Sequence, residues 1–214
     1  MVSVKWLGHA CFEIRSKVTI VTDPHDGKGI GIEPPKSKGD IVLISHKHHD
    51  HIDGAPLVTK DDSEVIISFI GEKTVKDIQI KGVKSYHDPT SGSQRGENSI
   101  YVFSLEGISF CCLGDLGQIL SSKQLAEIGE IDVLMIPVGG TYTLDADEAF
   151  QVAEKINPRI IIPMHYLIPG LSLPIAGVDD FLKGKKNIKR IDSNTFTVTK
   201  ETLPEETEIV VLSP

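Results

Sequence analysis

Ile41-Val42-Leu43-Ile44-Ser45-His46-Lys47-His48-His49-Asp50-His51 carries more information than any other part of this 214-residue chain. Its first half is an apolar run rich in β-branched residues, which reads as a buried strand. Its second half has the pattern His-x-His-x-Asp-His. Three imidazoles and a carboxylate therefore leave the end of a strand on one short loop, with His49 between them and pointing away. Neutral imidazole and carboxylate are the ligands that zinc, iron and manganese accept at neutral pH. Surface histidines of a polar loop would not need that spacing.

Outward from this stretch, three more residues stand just past apolar runs. His87 follows Val83–Tyr86, Asp115 follows Ile108–Leu113 through Gly114, and His165 follows Arg159–Pro163 through Met164. Each alone is an ordinary polar residue at a strand end. In layered α/β proteins, however, sites assemble from separate loops at that edge. Counted with the first motif they make five His and two Asp, enough for two metals sharing a bridging carboxylate.

The length fits one domain, residues 1–214, with a large core. Hydrophobic residues make up 40% and charged residues 24%, ordinary for a globular protein. The net charge of −8 argues against a nucleic-acid binder, which needs a basic stripe to displace counterions. Lys183, Lys185, Lys186, Lys189 and Arg190 form the one dense basic run, and a solvated loop after a helix explains it. Cys11, Cys111 and Cys112 form neither a disulfide framework nor a Cys-x-x-Cys metal motif. No secretory leader and no apolar span of membrane length is visible. The expectation is a cytoplasmic protein acting on a small molecule, with no nucleic-acid or membrane partner; homo-oligomerisation stays open.

Strands come first along the chain: Val2–Trp6, a turn at Gly8-His9, then Cys11–Ile14 and Val18–Thr22, ended by Asp23-Pro24. Residues 27–39 are a Gly/Pro loop, and His25 and Asp26 at its start read as solvated. Val65–Ser68 and Val83–Tyr86 are short strands with a predicted helix, Glu72 to Ile78, between them. Ser99–Ser104 and Ile108–Leu113 form a hairpin turned at Glu106-Gly107. Ser121 and Ser122 cap a helix through Ile128, Ile131–Val138 is a buried strand, and Asp145 opens a helix to about Ile156 with capping-box spacing. Arg159–Pro163 is a strand, and the tail from Ile188 to Leu212 returns to short strands. This order predicts an α/β protein with sheets sandwiched between helices.

His46-x-His48-x-Asp50-His51, then His87, Asp115 and His165, in that order, resemble the metallo-β-lactamase fold hydrolases over essentially the whole chain. Leu7-Gly8-His9-Ala10-Cys11-Phe12, Thr22-Asp23-Pro24, Gly114-Asp115-Leu116-Gly117 and Pro163-Met164-His165-Tyr166 are similar to the ascorbate-phosphate-lactonase-like, metal-dependent hydrolase branch. The resemblance implies a four-layer αββα sandwich. It also implies one metal held by His46, His48 and His87, a second held by Asp50, His51 and His165, and Asp115 bridging them. The ions would be two divalent transition metals, zinc first, with manganese and iron as alternatives. Where the β-lactamases of this fold place Cys at the bridging position, this chain has Asp115, which speaks against lactam hydrolysis. No protruding arm, basic face or C-terminal helical domain is visible, which argues against the nuclease and glyoxalase-like members.

The implied chemistry is hydrolysis of a small ester or lactone by a metal-bridging hydroxide, with Asp50 shuttling the proton. A small phosphodiester is the near alternative. A di-iron redox protein of the same fold is the alternative from another class; its usual partner domains are absent here. Five further residues have two readings each. Asp23 fixes a ligand histidine's tautomer or makes an Asp-Pro turn. His9 lies near the metals or is a turn histidine. Asn98 donates to a substrate or serves a turn before a strand. Tyr142 and Tyr166 polarise a carbonyl or stabilise an oxyanion, or have no such role.

Overall fold

The computed structural model describes residues 1–213. In chain order the strands are β1 (Val2–Trp6), β2 (Phe12–Arg15), β3 (Thr19–Thr22), β4 (Ile41–Ile44), β5 (Glu64–Ile67), β6 (Gly71–Val75), β7 (Ile78–Tyr86), β8 (Glu97–Leu105), β9 (Ile108–Cys112), β10 (Val133–Pro137), β11 (Ile160–Met164), β12 (Ile188–Ile191), β13 (Thr195–Val198) and β14 (Glu208–Leu212). The helices are α1 (His49–Ile52), α2 (Ala55–Val58), α3 (Ser122–Ile128), α4 (Ala146–Ile156) and α5 (Val178–Leu182).

Two mixed sheets result. The first runs β13-β1-β2-β3-β4-β5 and the second β12-β14-β11-β10-β9-β8-β7-β6. Side-chain alternation in β4 shows how they are layered. Ile41 and Leu43 join the main core, together with Phe103, Phe110 and Leu134 of the second sheet. Val42 and Ile44 point the other way, into a smaller cluster with Val58 of α2 and the flanking Ile52 and Ala55. Successive strand residues face opposite sides, so the first sheet is covered by the second on one face and by α1 and α2 on the other. On the far side, α3 packs on β7, and α4 packs on β10 and α5. This is the αββα sandwich. The central strands β4, β10 and β11 are buried at every position, as expected for strands covered on both faces.

Local sequence explains the helix starts. Ser121 accepts from the Gln124 amide and Asp145 from the Glu148 amide, each within a complete capping box. One expected element is wrong. Glu72 to Ile78 is not a helix but the hairpin of β6 and β7, with Val75 opposite Ile78. Lys76 and Asp77 both take positive φ, +48° and +64°, the conformation of a two-residue hairpin turn matching strand twist. The three-residue spacing of Val75 and Ile78 imitates a helix face. In the structure it spans a turn. Helix α5 is the helix expected before the basic run, and Lys189 and Arg190 of that run lie in β12 rather than in a loop.

Topology gathers the chemistry-bearing residues on one edge. β3 and β4 are parallel, as are β9, β10 and β11. β7 and β9 both pair antiparallel with β8, so they too run the same way. Asp23, His46, His87, Asp115, Tyr142 and His165 all follow the C-terminal ends of these strands. No helix among the described residues is long and apolar enough to cross a membrane.

Candidate metal centre

The site is built around one buried carboxylate. Asp115 Oδ2 lies 3.0 Å from His87 Nε2, 3.1 Å from His51 Nε2, 3.3 Å from His165 Nε2 and 3.9 Å from His46 Nε2. Two sets of side chains flank it. His46, His48 and His87 each offer a ligand atom within 4.8 Å of the others, and so do His9, Asp50, His51 and His165. The seven residues of the expected ligand sets are thus brought together, and His9 joins the second set.

The surroundings orient these rings. Asp23 Oδ1 accepts from the Ser45 amide at 2.7 Å and from Ser45 Oγ at 2.9 Å. A carboxylate only accepts, so the Ser45 hydroxyl donates to Asp23 and its oxygen receives the His46 Nδ1–H, 2.9 Å away. His46 Nε2 is left with its lone pair toward the centre. Asp23 Oδ1 also lies 3.6 Å from His51 Nδ1. Of the two readings of Asp23, the orienting one describes its contacts. His87 is fixed likewise, its Nδ1–H donated to the Tyr142 carbonyl at 2.9 Å. Such partners behind a ligand set its tautomer and direction. His9, Asp23 and His165 all adopt positive φ, between +38° and +53°, a conformation uncommon outside glycine that concentrates at functional sites.

Electrostatics differ across the cluster: burial works against protonation of His51 and His87, but Asp115 outweighs it and raises both, while His46 and His9 are lowered. Burial, then the nearby His51, pulls His46 down to about 2, and burial with His165 pulls His9 down to about 3, so both rings are neutral at neutral pH. Burial opposes ionisation of Asp115, but His165 and His51 outweigh it and hold the carboxyl well below its usual range. Burial likewise opposes ionisation of Asp50, and the hydrogen bond from His9 Nε2 to its Oδ2, at 3.1 Å, overcomes it. Both nitrogens of His51, Nδ1 of His9 and of His165, and Oδ1 of Asp115 are buried without a hydrogen-bond partner. Buried polar groups are normally satisfied; unpaired imidazole nitrogens and a carboxylate oxygen within one buried His/Asp cluster fit a transition-metal site.

A cavity of about 340 Å³ opens onto the cluster, lined by His48, Asp50, His87, Asp115 and His165 together with Arg95 and Tyr142. A larger groove, about 680 Å³, runs past Trp6, Ile32 and Ile168 and contains none of the clustered His and Asp side chains.

Several expectations are corrected. Asn98 is neither in a turn nor available to a substrate. It lies in β8, its amide nitrogen donates to Ser85 Oγ and the Leu113 carbonyl, and its oxygen accepts from the Asp115 amide at 3.0 Å. It positions the Asp115 loop instead. Tyr166 is buried against Trp6, with its hydroxyl directed to the Leu212 carbonyl, and takes no part in the cavity. Tyr142 does line the cavity, and its carbonyl orients His87. His25 is buried rather than solvated and donates to the Leu7 carbonyl at 3.1 Å. His9, fully buried on Asp50, is more than a turn residue. Sequence reasoning missed Ser45, Asp88, Arg95 and the need for Gly114. Only Asp88-Pro89-Thr90 carried a local signal, that of an Asx turn.

Comparison with known proteins agrees with this geometry. Residues 3–165 match the model of the β-lactamase superfamily domain. A UPF0173 metal-dependent hydrolase of Thermococcus onnurineus is 30% identical over 190 residues, 78% of this chain and 85% of its own length. A UPF0173 protein of Pyrococcus abyssi is 34% identical, over 76% of this chain and 82% of its own. A crystal structure from Thermotoga maritima, that of a candidate Zn-dependent hydrolase of the metallo-β-lactamase superfamily, superposes with a TM-score of 0.81. It is 40% identical and covers 99% of this chain and 98% of its own. With the strand-end His/Asp cluster on an αββα frame, these likenesses establish that the chain belongs to the metallo-β-lactamase superfamily, within its UPF0173 metal-dependent hydrolases.

Proposed function

We propose that the protein is a dinuclear metal hydrolase that cleaves a small ester or lactone. The observation that carries this is Asp115, one carboxylate within reach of imidazoles from both ligand sets. His46, His48 and His87 would hold one ion, and Asp50, His51 and His165 the other, with zinc the metal best suited to this donor set. When bound, the ions supply an acidified water and a Lewis acid for a substrate oxygen. The protein's own groups do the rest. His9 donates to Asp50 Oδ2, the oxygen that faces His51 and would ligate the ion, which leaves Oδ1 to take the proton from the attacking water. The cavity, at about 340 Å³, suits a small molecule. No serine or cysteine nucleophile is needed; all three cysteines are buried.

The test is elemental analysis of protein purified without added metal, then a screen of esters, lactones and phosphodiesters. About two transition-metal ions per chain are expected at full loading, with activity lost to chelator and restored by metal. Activity that survives complete metal removal refutes the proposal, and a phosphodiester preference would replace the ester reading.

A second measurement addresses Asp50. Asp50→Asn should lower kcat by about 100-fold or more at matched metal occupancy while changing KM little, because it removes a general base. Undiminished turnover would show that the proton goes elsewhere.

A further inference from the structure

We propose that Arg95 is the substrate-anchoring cation of this site, and that the substrate carries an anionic group, carboxylate or phosphate, in addition to the bond that is cleaved. This rests on the hydrolase reading above and deepens it.

Arg95 shares the cavity with His48, His87 and Asp115, yet its charge is unpaired. The sequence contains four arginines. Arg15 lies 3.7 Å from Glu13, Arg190 lies 2.6 Å from Asp179, and Arg159 is bound to the Pro204 and Glu205 carbonyls. Arg95 spends one N–H on the Thr141 carbonyl at 3.1 Å and has no carboxylate within 4.0 Å among the described residues. Its remaining guanidinium N–H groups stay open in a chain of net charge −8. An unpaired arginine at the mouth of a catalytic cavity concentrates anions there, and its planar fork matches an oxyanion in bidentate geometry.

The arginine is also held in place. Its guanidinium sits over the Tyr142 ring, 5.7 Å from the centroid. Its amide donates to Asp88 Oδ2 at 2.8 Å. The same buried carboxylate accepts from the amides of Thr90, Gly92 and Gln94 and from the Thr90 hydroxyl. Asp88 directly follows His87, so one carboxylate shapes the whole loop from the candidate metal ligand to the arginine. Tyr142 links them a second time, orienting His87 with its carbonyl and backing Arg95 with its ring. A loop shaped before the substrate arrives avoids ordering costs on binding.

The experiment compares succinate with butyrate, which replaces one carboxylate by methyl at the same chain length. Dissociation constants are measured by titration calorimetry on zinc-loaded protein. One carboxylate of either acid is free to occupy the metal centre, and only succinate has a second for Arg95. Wild type should bind succinate about tenfold or more tightly than butyrate. Arg95→Gln should bring that ratio close to one, and Arg95→Lys should keep part of it, because charge survives without the fork. 3-Phosphonopropionate in place of succinate tells whether carboxylate or phosphate is preferred. Arg95 is half-exposed, so these variants are expected to fold, and circular dichroism with metal content verifies it. The proposal is overturned if neither dianion outbinds butyrate in wild type, or if the ratio is the same in Arg95→Gln. The titration needs no turnover. Arg95-dependent binding without hydrolysis would therefore sink the hydrolase reading alone, and hydrolysis with an Arg95-independent ratio would sink this one alone.

Discussion

Asp115→Ala should empty both halves of the metal centre at once. The carboxylate stands within 3.3 Å of His51, His87 and His165 and within 3.9 Å of His46, so it reaches imidazoles of both candidate ligand sets. A ligand shared by two ions belongs to both, and its loss also removes the negative charge that offsets a pair of cations in a buried site. Bound metal should fall from about two ions per chain to less than one, and kcat/KM by on the order of 1000-fold or more, since the acidified water disappears with the metal. His165→Ala makes the contrast: it should chiefly weaken the set containing Asp50 and His51. Metal titration followed by elemental analysis distinguishes the two variants. If Asp115→Ala bound two ions with wild-type affinity, the bridging assignment would be wrong.

Gly114→Ala should be strongly damaging although it adds a single methyl group. Gly114 has φ +56°, and a Cβ there would stand 2.4 Å from Asn98 Oδ1, 2.6 Å from Ser45 Cβ and 2.8 Å from Ser45 Oγ. Neither neighbour can yield. Asn98 is tied by its amide to Ser85 and Leu113 and holds the Asp115 amide. Ser45 is tied to Asp23 and holds His46. Left-handed backbone and overpacking together cost about 2–5 kcal/mol, a large part of a typical domain's stability. The denaturation midpoint should drop accordingly, and metal affinity with it, because both His46 and Asp115 are displaced. Gly107→Ala is the control. Its φ is +75° with nothing within 4 Å of a new Cβ, so only the backbone penalty of about 1–2 kcal/mol applies. Equal midpoints for the two variants would refute the steric account.

The sandwich and its ligand edge could be read from sequence because their signals are short-range. An apolar run ending in His-x-His-x-Asp-His gives a strand and the candidate ligands past its end within eleven residues, although His49, Asp50 and His51 form the short helix α1 rather than a loop. His87, Asp115 and His165 each stand within two or three residues of a strand end. The helix starts at Ser121 and Asp145 were legible for the same reason, since a capping box closes over three residues. Where a local pattern had two solutions, the reading failed: Val75 and Ile78 have helix spacing, and the left-handed turn at Lys76-Asp77 makes them cross-strand partners instead.

Most of what aims the candidate ligands came from contacts between distant segments, which composition and periodicity cannot see. Ser45 reaches back to Asp23 across 22 residues, and Asn98 forward to Asp115 across 17. The Tyr142 carbonyl meets a ring 55 positions away in His87. Tyr166, next to a candidate ligand in sequence, faces the core, because neighbours on a strand-end loop diverge to opposite sides. The chain by itself determined which atoms are available for a metal, since that is a matter of residue type and spacing. The packing of the two sheets decided which nitrogen each imidazole presents, that Gly114 has no room for a side chain, and that Arg95 lines the cavity without a carboxylate partner among the described residues. Those depend on distances that exist only once the strands have been laid side by side.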